Sequence, residues 1–260
     1  MNVNLNDIIS LMEEIAPPHL AEDWDNVGLM LGRGNKQIKK ILVALDLTAD
    51  VVEQAVNCKA ELIITHHPAI FTKLNHLTDE EWQESLLLTC AEQGIAVYSA
   101  HTNLDCASGG VNDALARMLH LEDVDVLDTS NGLGRIGYVE STVLPDFALF
   151  VEKQLKADYV VMGDAHKKVH KVAVCGGAGG DLVETALALG ADTLVTGDIK
   201  YHTAQKAVFS GLNILDAGHQ ATEFPVLNDL ADRLSLRFTE QNWNVDVLVA
   251  RETLLLKVRK

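Results

Sequence analysis

Apolar residues recur at helical spacing at the start of the chain, at Leu5, Ile8, Ile9, Met12 and Ile15. Asn4 or Asn6 stands in capping position, and Pro17-Pro18 stops the helix. The period then changes. Asp23-Trp24-Asp25-Asn26-Val27-Gly28 predicts a turn into a short strand, Leu29-Met30-Leu31, and Gly32-Arg33-Gly34-Asn35 predicts another turn. A strand from Ile41 to Leu45, a helix from Asp50 to Lys59 and a strand from Leu62 to Ile64 follow, a βαβ unit with lengths suited to parallel pairing. The last of these, all apolar, has the pattern of a buried strand, and it delivers Thr65-His66-His67-Pro68 to its C-terminal tip.

The same pattern returns 131 residues later. Shifted by that amount without a gap, Gly32, Lys36, Lys40, Val43 and Asp50 fall on Gly163, Lys167, Lys171, Val174 and Asp181. Val52, Glu53, Ala55, Ala60 and Thr65 fall on Val183, Glu184, Ala186, Ala191 and Thr196. Further on, strand Ile95 to Ser99 leads to His101 and Asp105, and strand Ile214-Leu215 leads to His219 and Glu223, in each case a His with an acid four residues later. An Asn-Asp-x-x-x-Arg helix comes next in both, at Asn112, Asp113 and Arg117 and at Asn228, Asp229 and Arg233. The first copy carries an insertion after Pro68.

The expected fold is therefore α/β, two duplicated α/β domains related by a pseudo-twofold axis. The expected domains are 1–127, with the HHP and HxxxD motifs, and 128–260, with the TGD and HxxxE motifs. The stretch Val245 to Ala250 and the end from Leu254 to Val258 are expected to close a sheet, and an exchange of terminal strands between domains stays open.

Composition narrows the class. The chain of 260 residues is 48% hydrophobic, ample for a core, and its apolar runs fall well short of the ~20 residues needed to cross a bilayer. The N-terminus lacks a basic region and a small-residue cleavage site, so no signal peptide is expected. Cys58, Cys90, Cys106 and Cys175 form no CxxC pair, which argues against a disulfide framework or thiolate zinc site and fits a cytoplasmic protein. A net charge of −16 argues against DNA as a partner, while a small anionic or nucleotide substrate is compatible once bound divalent cations offset the field.

Sites in open α/β sheets lie beyond the carboxyl ends of the strands, where these motifs fall. Adjacent histidines on a strand point to opposite faces, so one packed and one solvated ring is the plain alternative for His66 and His67. Gathered together, His66, His67, Asp105, His219 and Glu223, with His101 available as a sixth group, form a borderline-to-hard donor set suited to zinc, iron or manganese. Two carboxylates could bridge two metals and leave a water activated as a hydrolytic nucleophile. The second copy departs from the first, because His66 and His67 correspond to Gly197 and Asp198. Asp198, with Lys200, Tyr201 and His202, either orients a ligating imidazole and contacts substrate or merely caps the helix that follows. The run Gly176 to Asp181 matches neither Walker nor dinucleotide patterns, which favours a tight turn over a phosphate cradle. His19, His76, His120, His166 and His170 are read as surface residues, and Trp24, Trp82 and Trp243 as packing groups.

Asp25-Asn26-Val27-Gly28, Thr65-His66-His67-Pro68, His101 with Asp105, Thr196-Gly197-Asp198 with Tyr201-His202, and Gly218-His219-Gln220-Ala221-Thr222-Glu223 together resemble the Nif-three-like family. Its members are often named GTP cyclohydrolase I type 2 homologues, and this chain is similar to their short bacterial form from end to end. The resemblance implies a metal site in the cleft between the domains, with two divalent ions per chain held by His66, His67, Asp105, His219 and Glu223. It also implies a homohexameric toroid and hydrolysis of a nucleotide or related heterocycle, with His101 as proton shuttle or as a support for a ligand. The alternatives are a non-catalytic metal-binding or protein-interaction ring, and a hydrolase for phosphoesters or damaged nucleotides.

Overall fold

The computed structural model describes residues 2–252. The chain runs through α1 (Leu5–Ile15), β1 (Gly28–Leu31), β2 (Lys40–Ala44), α2 (Ala49–Cys58), β3 (Leu62–Thr65), α3 (Trp82–Glu92), β4 (Ala96–Ser99), α4 (Thr102–Cys106) and α5 (Val111–Met118). It continues through β5 (Glu122–Asp128), β6 (Leu133–Val143), α6 (Leu144–Leu155), β7 (Val160–Met162), β8 (Lys168–Ala178), α7 (Val183–Ala188) and β9 (Thr193–Gly197). The last elements are α8 (Tyr201–Phe209), β10 (Asn213–Asp216), α9 (His219–Glu223), α10 (Pro225–Glu240) and β11 (Asp246–Val249). Two compact units result, one made of residues 2–107 with 227–252, the other of 108–226.

In the first unit α1 starts on a reciprocal cap. Asn4 Oδ1 accepts from the Asp7 amide at 3.2 Å while the Asp7 carboxylate accepts from the Asn4 amide at 2.8 Å. The helix buries Leu5, Ile8, Leu11, Met12 and Ile15; Ile9, expected inside, lies on the margin of that stripe and Leu11 takes its place. The sheet has the order β1-β4-β3-β2-β11, with β11, β2, β3 and β4 parallel and β1 antiparallel at one edge. All four residues of β3 are buried, as its apolar run predicts for a strand covered on both faces. Helix α2 is capped by the Thr48 side chain and ends with Lys59 in the left-handed region.

The second unit holds a six-stranded sheet, β5-β6-β8-β9-β10-β7. Strands β8, β9 and β10 are parallel, β7 is antiparallel at one edge, and β6 and β5 extend the other side antiparallel. Alternation along β8 serves two cores. Val172 and Val174 join Leu144, Phe147, Val151 and Leu115 on one face, and Ala173 and Cys175 join Leu127, Leu182, Ala186 and Ala207 on the other. The edge of the sheet is tied to α5 by Arg135, whose guanidinium donates from Nε and Nη2 to the two carboxylate oxygens of Asp113 at 2.5 and 2.8 Å. Burial alone would raise the Asp113 carboxyl, but hydrogen bonds from Arg135 and the Gly109 amide, with the charges of Arg135 and Arg117, hold it below the usual carboxylate range.

The strand set β1-β4-β3-β2 of the first unit has the same order and the same senses as β7-β10-β9-β8 of the second. The expected division at 127 falls inside the second unit, at the end of β5. The two Asn-Asp-x-x-x-Arg helices also divide otherwise than their order in the chain suggests. α5 follows the first HxxxD turn but belongs to the second unit, whereas α10, from Leu227 on, belongs to the first. β11 likewise lies in the first unit, parallel to β2. The expected segment Leu254 to Val258 lies outside the described residues.

Among the described residues no helix is long and apolar enough to cross a membrane. Cys90, Cys106 and Cys175 are buried and Cys58 half-buried, and none of the four is in a disulfide among the described residues.

Candidate metal centre

The tips of the parallel strands carry the donors, and the first unit has the larger set. Past the end of β3 the His66 amide donates to Ala44 O at 3.0 Å and the His67 amide to Leu45 O at 2.9 Å, so the backbone still follows β2. The side chains no longer alternate. Thr65 Oγ1 donates to His67 O at 2.8 Å, folding the tip back, and the two imidazoles stand with ring centres 5.0 Å apart. The plain alternative, a packed ring and a solvated one on opposite faces, is thereby replaced by a pair facing each other.

His101, at the N-terminus of α4, completes a triangle, 5.2 Å from His66 and 5.5 Å from His67 between ring centres. Each of the three offers a nitrogen within 4.8 Å of the others. Asp105, one turn further along α4, brings a carboxylate oxygen to 3.6 Å from His66 Nε2.

In the second unit α9 places His219 Nε2 3.1 Å from Glu223 Oε1, the expected one-turn pair. The glycine-rich end of β8 exists for this helix. A Cβ on Gly177, at φ +66°, would stand 2.4 Å from Glu223 Oε1 and 3.2 Å from His219 Nε2. The amides of Gly176, Gly177 and Gly179 donate to Asn112 Oδ1, Thr222 Oγ1 and Thr196 Oγ1 at 2.8 to 3.0 Å. The run is thus a turn committed to its own fold, not an open phosphate cradle.

All four imidazoles are anchored in one manner. His66 Nδ1 donates to Ala100 O at 2.9 Å, and since a carbonyl can only accept, the proton is on Nδ1. Nδ1 of His67 pairs with Asp46 at 2.8 Å, that of His101 with Asp25 at 2.9 Å, and that of His219 with Asp198 at 2.8 Å. Such an outer partner fixes the tautomer that presents Nε2 to a ligand. Asp25 is held hardest. Its side chain has no exposed surface and also accepts from the Thr102 amide and hydroxyl. Burial pushes its pKa upward, but the hydrogen bonds from His101 and Thr102 win and hold the carboxyl well below the usual range.

Asp198 sits at φ 51° beyond β9, while the N-cap of α8 is Lys200, which makes no side-chain cap bond, so Asp198 orients His219 here. Lys200, Tyr201 and His202 are exposed on the first turn of α8, with the Tyr201 and His202 rings 5.2 Å apart. The pattern along the chain did not single out Asp46, which lies in the short turn after β2, and it read Asp25 only as part of a turn. Their signal was an acid at a strand tip or turn with no apolar partner to pack.

Trp24 and Trp82 correct the packing assignment, being 60% and 67% exposed, whereas Trp243 does pack against Phe238. The five surface histidines are all exposed.

Imidazoles held on Nδ1, carboxylates beside them and a glycine that keeps Glu223 and His219 clear of a side chain fit a divalent metal of the zinc, iron or manganese type. The family model Duf34/NIF3 (NGG1p interacting factor 3) matches residues 3–254. The chain belongs to the Duf34/NIF3 family. A relative from Clostridium perfringens named GTP cyclohydrolase 1 type 2 homolog is 38% identical, covering 96% of this chain and 97% of its own. One of the same name from Clostridium acetobutylicum is 33% identical, covering 98% of each. The crystal structure of a Bacillus cereus protein related to NIF3 superposes with a TM-score of 0.93 at 28% identity, covering 97% of this chain and 98% of that one. The mixed α/β architecture with two sheets thus matches that of this NIF3-related protein.

Proposed function

We propose that this Duf34/NIF3 chain is a duplicated α/β protein whose donor residues, His66, His67 and Asp105 in one unit and His219 and Glu223 in the other, are the ligands of two divalent metal ions per chain. In this reading the protein is a hydrolase of a nucleotide or related heterocycle, as the names of the Clostridium relatives suggest. The observation that carries it is the shared anchoring of His66, His67 and His219, the three imidazoles among the proposed ligands, through Nδ1. Structural histidines have no reason to adopt one tautomer together; metal-site histidines do.

Bound there, the ions would supply Lewis acidity and bring the pKa of a water toward neutrality. The chain's own residues do the rest. Asp25 holds His101 with its proton on Nδ1, so Nε2 is the atom that accepts a proton from the reacting water and returns it to the leaving group. Ala100 O and Asp46 keep His66 and His67 from rotating as substrate enters. Asp105 and Glu223, both buried, would give bound cations carboxylate oxygens shielded from solvent.

The test is elemental analysis of purified protein beside formate release and nucleotide loss from GTP, with Asp105→Ala as control. Two metals per chain and turnover abolished in the variant are expected. Glu223→Gln that keeps its metal and full turnover would remove Glu223 from the assignment. Assembly into a hexameric ring belongs to the same reading and is checked by sedimentation mass. The family's description as an interacting factor favours one second reading, a metal-bearing ring that binds protein and catalyses nothing. Two metals per chain without turnover of any nucleotide, phosphoester or cyclic amide would select it.

A further inference from the structure

Two large aromatics stand at the surface beside the imidazole triangle. Trp24 is 60% and Phe71 51% exposed, their ring centres are 6.0 Å apart, and His101 lies 6.1 Å from the first and 6.5 Å from the second. A single exposed aromatic is ordinary; a pair converging on a donor histidine is not.

Their loops are tied to each other. Trp24 precedes Asp25, which grips His101 and Thr102, and Asn26 Nδ2 donates to Ile70 O, the residue before Phe71. Both ring planes stand at 74° to that of His101, and more than half of the surface of Trp24 and Phe71 is open to solvent. Rings held in that way gain from stacking on another π-system.

We propose that Trp24 and Phe71 form a stacking platform for a planar nitrogen heterocycle of the nucleobase type, the base lying on one ring and meeting the other, tilted 54° to it, along its edge, and that they select the substrate by its ring. The inference rests on the hydrolase reading only for what happens to the ring once held. Stacking of a base on an aromatic side chain is tolerant of which base it is, so the platform sets the class of ligand and not the individual base.

Calorimetric titration of the full-length protein with GMP and with ribose 5-phosphate tests it, on the native chain, Trp24→Ala, Phe71→Ala and Trp24→Phe, with metal content measured for each. GMP is expected to bind at least ~10-fold more tightly than ribose 5-phosphate, and each alanine variant to weaken GMP about 10-fold. Metal content and ribose 5-phosphate binding stay as in the native chain, and Trp24→Phe stays within about 3-fold for GMP. The inference is overturned if GMP binds no better than ribose 5-phosphate, or if both alanine variants bind GMP like the native chain. It is also overturned if they change only the sedimentation mass, which would make the rings a contact with another copy. Trp24-dependent GMP binding by a protein that takes up no metal would sink the hydrolase reading and leave the platform standing. Metal without that dependence would do the reverse.

Discussion

The tips of β3 and β9 occupy the same place in matching strand sets, yet one carries His66-His67 and the other Gly197-Asp198. At the first tip the imidazole of His67 belongs to the tip and its carboxylate partner, Asp46, to the turn after the neighbouring strand β2. At the second the carboxylate, Asp198, belongs to the tip and the imidazole, His219, to the helix after the neighbouring strand β10. The same dyad is built with its polarity reversed. The reason lies one residue earlier. A Cβ on Gly197 would stand 2.5 Å from the His219 amide nitrogen, so α9 presses directly on that tip, whereas the first tip carries the buried side chain of His66. Two strand sets of the same order and senses can therefore carry their donors on different elements.

Putting a methyl group under α9 strikes that contrast hardest. Gly197→Ala should cost about 3 kcal/mol, the upper range for overpacking against backbone, read from the denaturant midpoint. A loss under ~0.5 kcal/mol would mean the tip is not sterically set. His66→Ala, which empties a buried place and abandons the Ala100 carbonyl, should cost about 2 kcal/mol in metal-free protein.

The three carboxylate partners grade the comparison more finely. Asp25→Ala, removing a fully enclosed side chain, should weaken zinc binding or turnover towards 100-fold, Asp46→Ala and Asp198→Ala nearer 10-fold because both are partly exposed. Competition with a chelator measures the first quantity. Equal losses at all three positions would show that burial of the partner is irrelevant.

The smallest effect is on acid stability. The folded-state pKa of Asp113 is depressed, so its pair with Arg135 stabilises the second unit fully above the usual carboxylate range and loses that contribution as pH falls through the depressed value. The stability gap between the native chain and Asp113→Asn, measured by urea melts from pH 6 downward, should be level at first and then narrow. A gap that widens on acidification would reverse the sign of the argument.

Much of both candidate donor sets could be read from residue order because His66-His67 and the two one-turn pairs fall at predicted strand tips, and a tip is legible from the end of an apolar run. The outer carboxylates were harder. Asp46 and Asp25 are single acids in turns, where acids are common for capping and turn geometry, and only the approach of distant His67 and His101 distinguishes them. Trp24 misled because apolar bulk usually means burial, whereas here the flanking Asp25 and Asn26 hold the ring outward. The compact units were obscured by α5 and α10, whose matching Asn-Asp-x-x-x-Arg faces imply matching places, although each packs in the unit that does not contain the turn before it. No local pattern records which sheet a helix will cover.

The parallel pairing of β11 with β2 also sets a timetable. Because residues 108–226 form the whole described part of the second unit, that unit can close while the ribosome is still short of β11. About 200 residues separate β2 from its last neighbour, roughly 10–40 s of synthesis, and through that interval the row of amides and carbonyls along β2 has no strand beside it on that side. An open edge is an invitation to mispair with another nascent chain. Cells making this protein fast should therefore benefit from a chaperone that covers one strand edge until translation ends.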